Sequence, residues 1–196
     1  MSGEAEAPKT GKIYHIPGEP GVWVLIFGDM MIFTMFFLIF LYYRGQNPEM
    51  FVQSQTHLSQ RLGVLNTMFM LTSSWFVASG IRAIRADRGK LAALAFWLAF
   101  LCGVGFGIVK FFEYSAKLRI GITIGTNNFF MCYYMFTGIH FVHVLIGMVL
   151  LSFMARHARR GNFTPRRQSL FEVGATFWHL VDLLWIVLFA LLYLVK

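Results

Sequence analysis

The sequence predicts an all-α polytopic membrane protein, a bundle of five transmembrane helices. Three observations carry this prediction. Only 13% of residues are charged while 57% are hydrophobic, against about 25% charged in an ordinary soluble domain. Aromatic residues reach 17%, including 22 Phe. Five apolar stretches also come near the length of about 20 residues that a helix needs to cross the hydrocarbon core.

These stretches run over residues 22–43, 63–82, 91–112, 129–155 and 173–195, so residues 22–196 form one membrane domain behind a polar tail, 1–21. The tail contains Gly and Pro but no short apolar run ending at a small-residue cleavage site, so a cleaved signal peptide is not expected. The first span carries Asp29. A connection with Pro48 and several Gln leads to the second, which holds Asn66, Thr67, Ser73 and Ser74. In the third, Ala99, Gly103 and Gly107 fall four apart on one face, a spacing that lets two helix backbones approach closely. The fourth carries His140 and His143, and the fifth His179 and Asp182. Cys102 and Cys132 lie inside spans without a partner at metal spacing and read as buried small apolar side chains. No repeat of solenoid length is present.

The distribution of Lys and Arg predicts orientation. Lys9, Lys12, Arg82, Arg85, Arg88, Lys90, Arg156, Arg159, Arg160, Arg166 and Arg167 fall on one side; Arg44, Arg61, Lys117, Arg119 and Lys196 fall on the other. Basic residues concentrate on the cytoplasmic side, which places the N-terminus in the cytoplasm and the C-terminus outside. The net charge of +8 thus reflects membrane topology and not nucleic-acid binding. Arg82 and Arg85, with Arg88, are expected to meet anionic headgroups.

An ionisable group inside the bilayer costs about 2.5–3.5 kcal/mol on insertion scales, so it normally faces protein and carries a role. Spacing of three residues puts His140 with His143, and His179 with Asp182, on shared helix faces. With Asp29 these groups form a candidate polar cluster if the first, fourth and fifth spans are neighbours. Three uses are open. They are ligands of a metal or haem, a proton path, or hydrogen bonds between helices, joined by Asn66, Thr67, Ser73, Ser74 and Thr137. Glu113, beside Tyr114 at the end of the third span, is expected to form a surface pair with Lys110 or Lys117. Trp23, Tyr42, Tyr43, Trp97, Trp185 and Tyr193 read as interfacial anchors or packing between helices.

Four blocks in order resemble heme–copper oxidase subunit III. Residues Phe171–Trp185 resemble its closing E-x-G…WH-x-VD-x-x-W signature, through Glu172, Gly174, Trp178, His179, Val181, Asp182 and Trp185. Residues Thr137–Gly147 resemble its TG-x-H-x-x-HV-x-x-G helix. Phe112-Glu113-Tyr114 matches its Glu-Tyr pair, and Leu65-Asn66-Thr67 with Ser73-Ser74 its second-span pattern. The five spans resemble the short bacterial form. Asp29 stands where seven-helix members carry a membrane Glu. The run Val181–Val187 and the lead-in Pro17–Gly21 resemble the branch associated with nitric oxide reductase most.

The resemblance implies a non-catalytic subunit of the bacterial inner membrane that binds no redox cofactor itself. Haem and copper would lie in a catalytic partner subunit reducing oxygen or nitric oxide, and phospholipid would be bound. It implies that Asp29 faces a lipid cleft, that His140, His143, His179 and Asp182 form a polar network, and that Glu113, Tyr114 and Trp178 serve lipid or interface contacts. It also implies support for assembly and proton uptake. Consistent with this, the spans offer three histidines, too few for two haems and a copper, and no cysteine pair for a dinuclear copper site. The competing readings are a small proton channel or transporter, and a bis-histidine haem protein. The absence of paired broken helices or repeats weighs against a transporter.

Overall fold

The computed structural model describes residues 20–161 and 164–195, which leaves most of the polar tail, with Lys9 and Lys12, outside the described residues. Six α-helices and one π-helical turn follow in order: α1 (Pro20–Gln46), α2 (Pro48–Gln55), α3 (Gln60–Arg85), α4 (Gly89–Arg119), α5 (Asn128–Ala158), α6 (Pro165–Phe189) and the turn Ala190–Leu194. Five of these segments are long and apolar enough to span a membrane. They extend the stretches read from hydropathy, because polar and basic residues continue a helix beyond its apolar part.

The connection over 44–62 is not wholly a loop. Pro48 starts α2, where its missing N–H costs nothing, and Glu49 stands in the first turn, where the helix dipole favours an anion. Phe51 of α2 is buried edge-on against Phe40 of α1 and Phe129 of α5, with ring centroids 5.3 and 5.5 Å away.

Helices α3, α4, α5 and α6 pack in a ring, each against the next and α6 back against α3, while α1 lies outside along α5 and α6. The most apolar window of α6 is 61% buried, that of α1 only 17%. The core is therefore built around α6 and the turn that follows it, whose Trp178, Val181, Trp185, Leu188 and Leu192 are fully enclosed. Trp178 fits because Gly147 of α5 faces it: a Cβ there would lie 2.5 Å from the indole.

The stripe Ala99, Gly103 and Gly107 serves a different purpose from the predicted one. Large side chains fill the space instead of a second backbone. A Cβ at Gly103 would stand 3.1 Å from Met148 and 3.3 Å from Trp178, and one at Gly107 3.4 Å from Phe141. The buried Ala99 offers its carbonyl oxygen to the Ser73 hydroxyl at 3.0 Å.

The π-helical turn is capped from outside the helix. The last carbonyls of a helix lack intrahelical partners, and two glutamine amides reach them. Gln55 donates to the oxygens of Leu192 and Val195 at 3.3 and 2.8 Å, and Gln60 to that of Tyr193 at 2.9 Å.

Candidate functional site

Among the described residues, the ionisable side chains inside the bundle gather in three separate sites, with His140 apart from them. The first site is a buried ionic knot. Because α4 runs on to Arg119, Glu113 lies within the helix and not at its exposed end. Its two oxygens take both lysines: Lys110 Nζ at 2.9 Å and Lys117 Nζ at 3.0 Å, with all three side chains no more than 5% exposed. The Tyr193 hydroxyl donates to Glu113 Oε1 at 2.6 Å and accepts from Lys110 at 3.1 Å. The Tyr133 hydroxyl lies 3.5 Å from Lys110 and 3.4 Å from Lys117. Four rings surround Lys110 Nζ, with centroids 4.8 Å (Trp185), 5.3 Å (Tyr133), 5.6 Å (Tyr193) and 5.9 Å (Tyr114) away. Their negative faces attract the ammonium group.

The surface pair expected of Glu113 is thus corrected to a buried three-membered cluster, as is its expected lipid or interface position. Either spacing alone, i,i+3 or i,i+4, brings a lysine to Glu113, and the helix satisfies both. Neither Tyr133 nor Tyr193 was among the expected site residues. The available signal was Lys110 itself, a basic residue within an apolar run. Tyr114, half-buried, donates to the Thr137 hydroxyl, which in turn donates to the Tyr133 carbonyl oxygen at 2.5 Å.

The second site joins α1 to α5. His143 Nε2 lies 3.0 Å from Asp29 Oδ1, and His143 Nδ1 lies 2.9 Å from the Ile139 carbonyl oxygen. The imidazole sits between Phe33 of α1 and Phe177 of α6, with centroids 5.8 and 6.4 Å away.

The third site joins α3 to α6. Ser74 Oγ and His179 Nδ1 share a hydrogen bond of 2.7 Å. Asp182 Oδ2 is 3.7 Å from the same nitrogen, beyond hydrogen-bond length, and both Asp182 oxygens lack a partner among the described residues. Serine and carboxylate approach one nitrogen rather than opposite ends of the ring, so this is not the relay that activates a serine nucleophile. His179 opens onto a cavity of about 440 Å³ lined also by Trp23, Arg82, Arg85, Glu172 and Thr176.

His140 and Asn66 stand apart from all three. Both are fully buried without a hydrogen-bond partner among the described residues, and His140 packs against Phe106 and Trp185. Although His140 and His143 are three residues apart, one faces α4 and α6 and the other α1. The single polar network expected of Asp29, His140, His143, His179 and Asp182 is therefore resolved into separate pairs. Among the described residues no group of three or more His, Cys, Asp or Glu is arranged to hold a metal ion.

One further expectation is corrected. Trp178 is fully buried behind Gly147, which removes it from any lipid or partner interface. Arg85 pairs with Glu172 at 2.8 Å yet stays exposed, so that Arg82 and Arg85 both stand at the cavity rim. Of the two readings open for Trp185 and Tyr193, packing between helices holds: both are core residues, and the Trp185 indole donates to Thr67 Oγ1 at 3.1 Å.

Comparison with known proteins places these residues in a family. The description "Cytochrome c oxidase subunit III" matches residues 17–196. The chain belongs to the cytochrome c oxidase subunit III family. Among relatives, cytochrome c oxidase subunit 3 of Thermostichus vulcanus is 30% identical over 201 residues, covering 99% of this chain and 98% of its own. That of Synechocystis sp. is 32% identical over 175 residues, 89% and 74% of the two chains. The probable cytochrome c oxidase subunit 3 of Mycobacterium bovis is 28% identical over 178 residues, 90% and 87%. With five apolar spans and bacterial relatives throughout this group, the chain is a multi-pass protein of the bacterial inner membrane. The resemblance read from the four motifs is thereby confirmed at the level of the family.

Proposed function

We propose that this chain is the non-catalytic third subunit of a respiratory oxygen-reducing heme–copper oxidase. It would pack beside the haem-bearing catalytic subunit, stabilise it during turnover and support proton uptake on the cytoplasmic side. One observation carries the reading: many polar residues of the family motifs bond within the bundle, and His140, Asn66 and Asp182 are enclosed by it. Glu113 holds two lysines, Tyr114 bonds Thr137, His143 meets Asp29, and His179 bonds Ser74. Side chains engaged in this way serve a scaffold rather than a redox centre.

The excess of Lys and Arg at the α3–α4 and α5–α6 connections supports a cytoplasmic N-terminus. In that orientation the cavity beside His179 opens near the cytoplasmic face. Its apolar wall (Ile26, Ala78, Ile81) and exposed Arg82 suit a phospholipid, with an acyl chain along the wall and the headgroup at the arginine.

The test is purification of the tagged chain from native membranes, with a haem spectrum and mass spectrometry of proteins and lipids. Co-purification of a haem- and copper-bearing subunit that consumes oxygen, with accelerated loss of activity when the gene is deleted, is the expected result. Recovery of the chain without a haem protein, or a partner that reduces nitric oxide but not oxygen, would overturn it.

A further inference from the structure

The hydrogen bonds of one imidazole fix the position of its protons. His143 Nδ1 lies 2.9 Å from the carbonyl oxygen of Ile139. A carbonyl oxygen only accepts, so Nδ1 carries a hydrogen. A neutral imidazole has one N–H, with the other nitrogen an acceptor. With Nδ1 occupied, Nε2 of a neutral ring presents a lone pair to Asp29 Oδ1 at 3.0 Å. An ionised carboxylate likewise only accepts. Two lone pairs at that distance repel, and the contact becomes a hydrogen bond only with a proton between them.

We propose that Asp29 and His143 together bind one proton beyond those of a neutral imidazole and a carboxylate, held between Nε2 and Oδ1. The pair is then electrically neutral as a unit, either as imidazolium with carboxylate or as imidazole with carboxylic acid. This suits its surroundings. Asp29 and His143 are 11% and 19% exposed, Asp29 Oδ2 has no partner, and the flanking groups are the rings of Phe33 from α1 and Phe177 from α6. Among the described residues no other ionisable side chain bonds to either member. An unshared carboxylate there would be a bare charge in an apolar setting, which is costly.

The bound proton also has a structural task. Among the described residues, no other side-chain hydrogen bond or ion pair joins α1 to the rest of the bundle. The remaining attachment is apolar packing, with Phe33, Phe36 and Phe40 in ring contacts and Ile26 in the core. Proton loss turns the one polar tether into a repulsive contact and loosens α1. This inference rests on the local geometry and does not depend on the oxidase reading.

The test uses the full chain in lipid nanodiscs at neutral pH, labelled with ¹⁵N-histidine for magnetic resonance and with ¹³C-aspartate for infrared spectroscopy. Signals are assigned by difference against D29N, whose amide can donate to Nε2 and so preserves the contact. The expected result is a His143 ring protonated on both nitrogens, or a protonated Asp29 carboxyl band. In D29N that signal disappears and His143 retains a single N–H, on Nδ1. A wild-type His143 with one N–H beside an ionised Asp29 would overturn the proposal, as would identical His143 spectra in the two proteins together with no protonated Asp29 carboxyl band in the wild type.

Discussion

The Tyr193 hydroxyl donates a 2.6 Å hydrogen bond to Glu113 Oε1, tying the π-helical turn at the end of the chain to α4 across 80 residues. That bond completes a knot in which one carboxylate serves two ammonium groups. Removing the sole anion strands both cations. Breaking a buried pair by deleting one partner costs about 3–5 kcal/mol, and Glu113→Gln is expected to fall in that range. Lys110→Met leaves the Lys117–Glu113 pair matched and should cost less. Denaturant unfolding of the chain in mixed micelles measures both. A smaller loss for E113Q than for K110M would contradict the charge balance described here.

The exposed pair Arg85–Glu172 provides the contrast. Its side chains are 65% and 35% accessible, and ion pairs in such settings contribute about 0–1 kcal/mol. Arg85→Ala should leave unfolding nearly unchanged.

Two glycines of α5 should respond in opposite directions to the same substitution. At Gly147 an added methyl would meet the Trp178 ring at 2.5 Å, and overpacking a core costs about 1–3 kcal/mol. At Gly138 nothing lies within 4 Å, and replacing a mid-helix glycine by alanine gains about 0.5–1 kcal/mol. Unfolding of G147A and G138A, compared side by side, checks the predicted opposite signs.

Asp182 and Ser74 invert a sequence-based expectation. An Asp182–His179 hydrogen bond would make Asp182→Leu destabilising, but the 3.7 Å separation leaves this carboxyl buried without a hydrogen-bond partner among the described residues. Replacing an unpaired polar group by an apolar one of similar shape is nearly neutral or stabilising. Asp182→Leu is therefore expected not to lower stability. Ser74→Ala removes a real interhelical bond and should cost about 0.6 kcal/mol, the average for such bonds in membranes. Thermal aggregation in detergent ranks the two variants.

In the assembled complex, Asp29→Asn should leave subunit content unchanged, since the amide can still bond His143. The neutral amide bond that replaces the proton-shared contact is weaker than a charge-assisted one, so α1 docking is expected to loosen during turnover and oxidase activity to decay faster over successive cycles. Activity traces of purified wild-type and D29N complexes test this, and superimposable decay curves would count against it.

Protein class and family follow from the linear order of residues alone. Five apolar runs, each near bilayer length, permit little besides a helical bundle, because backbone groups in lipid must be satisfied within helices. Four motifs in order point to subunit III without reference to packing. Candidate polar residues were legible too, since an ionisable group in an apolar run stands out on composition alone. Their partners were not. Helical spacing shows which side chains share a face of one helix, whereas Asp29–His143, Ser74–His179 and Tyr193–Glu113 each cross between elements. Neighbours of that kind depend on which helices touch and on their rotation, and this was set by bulk: Trp178 seated over Gly147, and α6 enclosed by α3 and α5. Tertiary packing likewise decided that Glu113 is buried, because α4 continues past the apolar run that marked its expected end. It also left His140 unpartnered three residues from a paired His143. Burial and partnership are properties of the assembled surface, and a single helix carries only half of each contact.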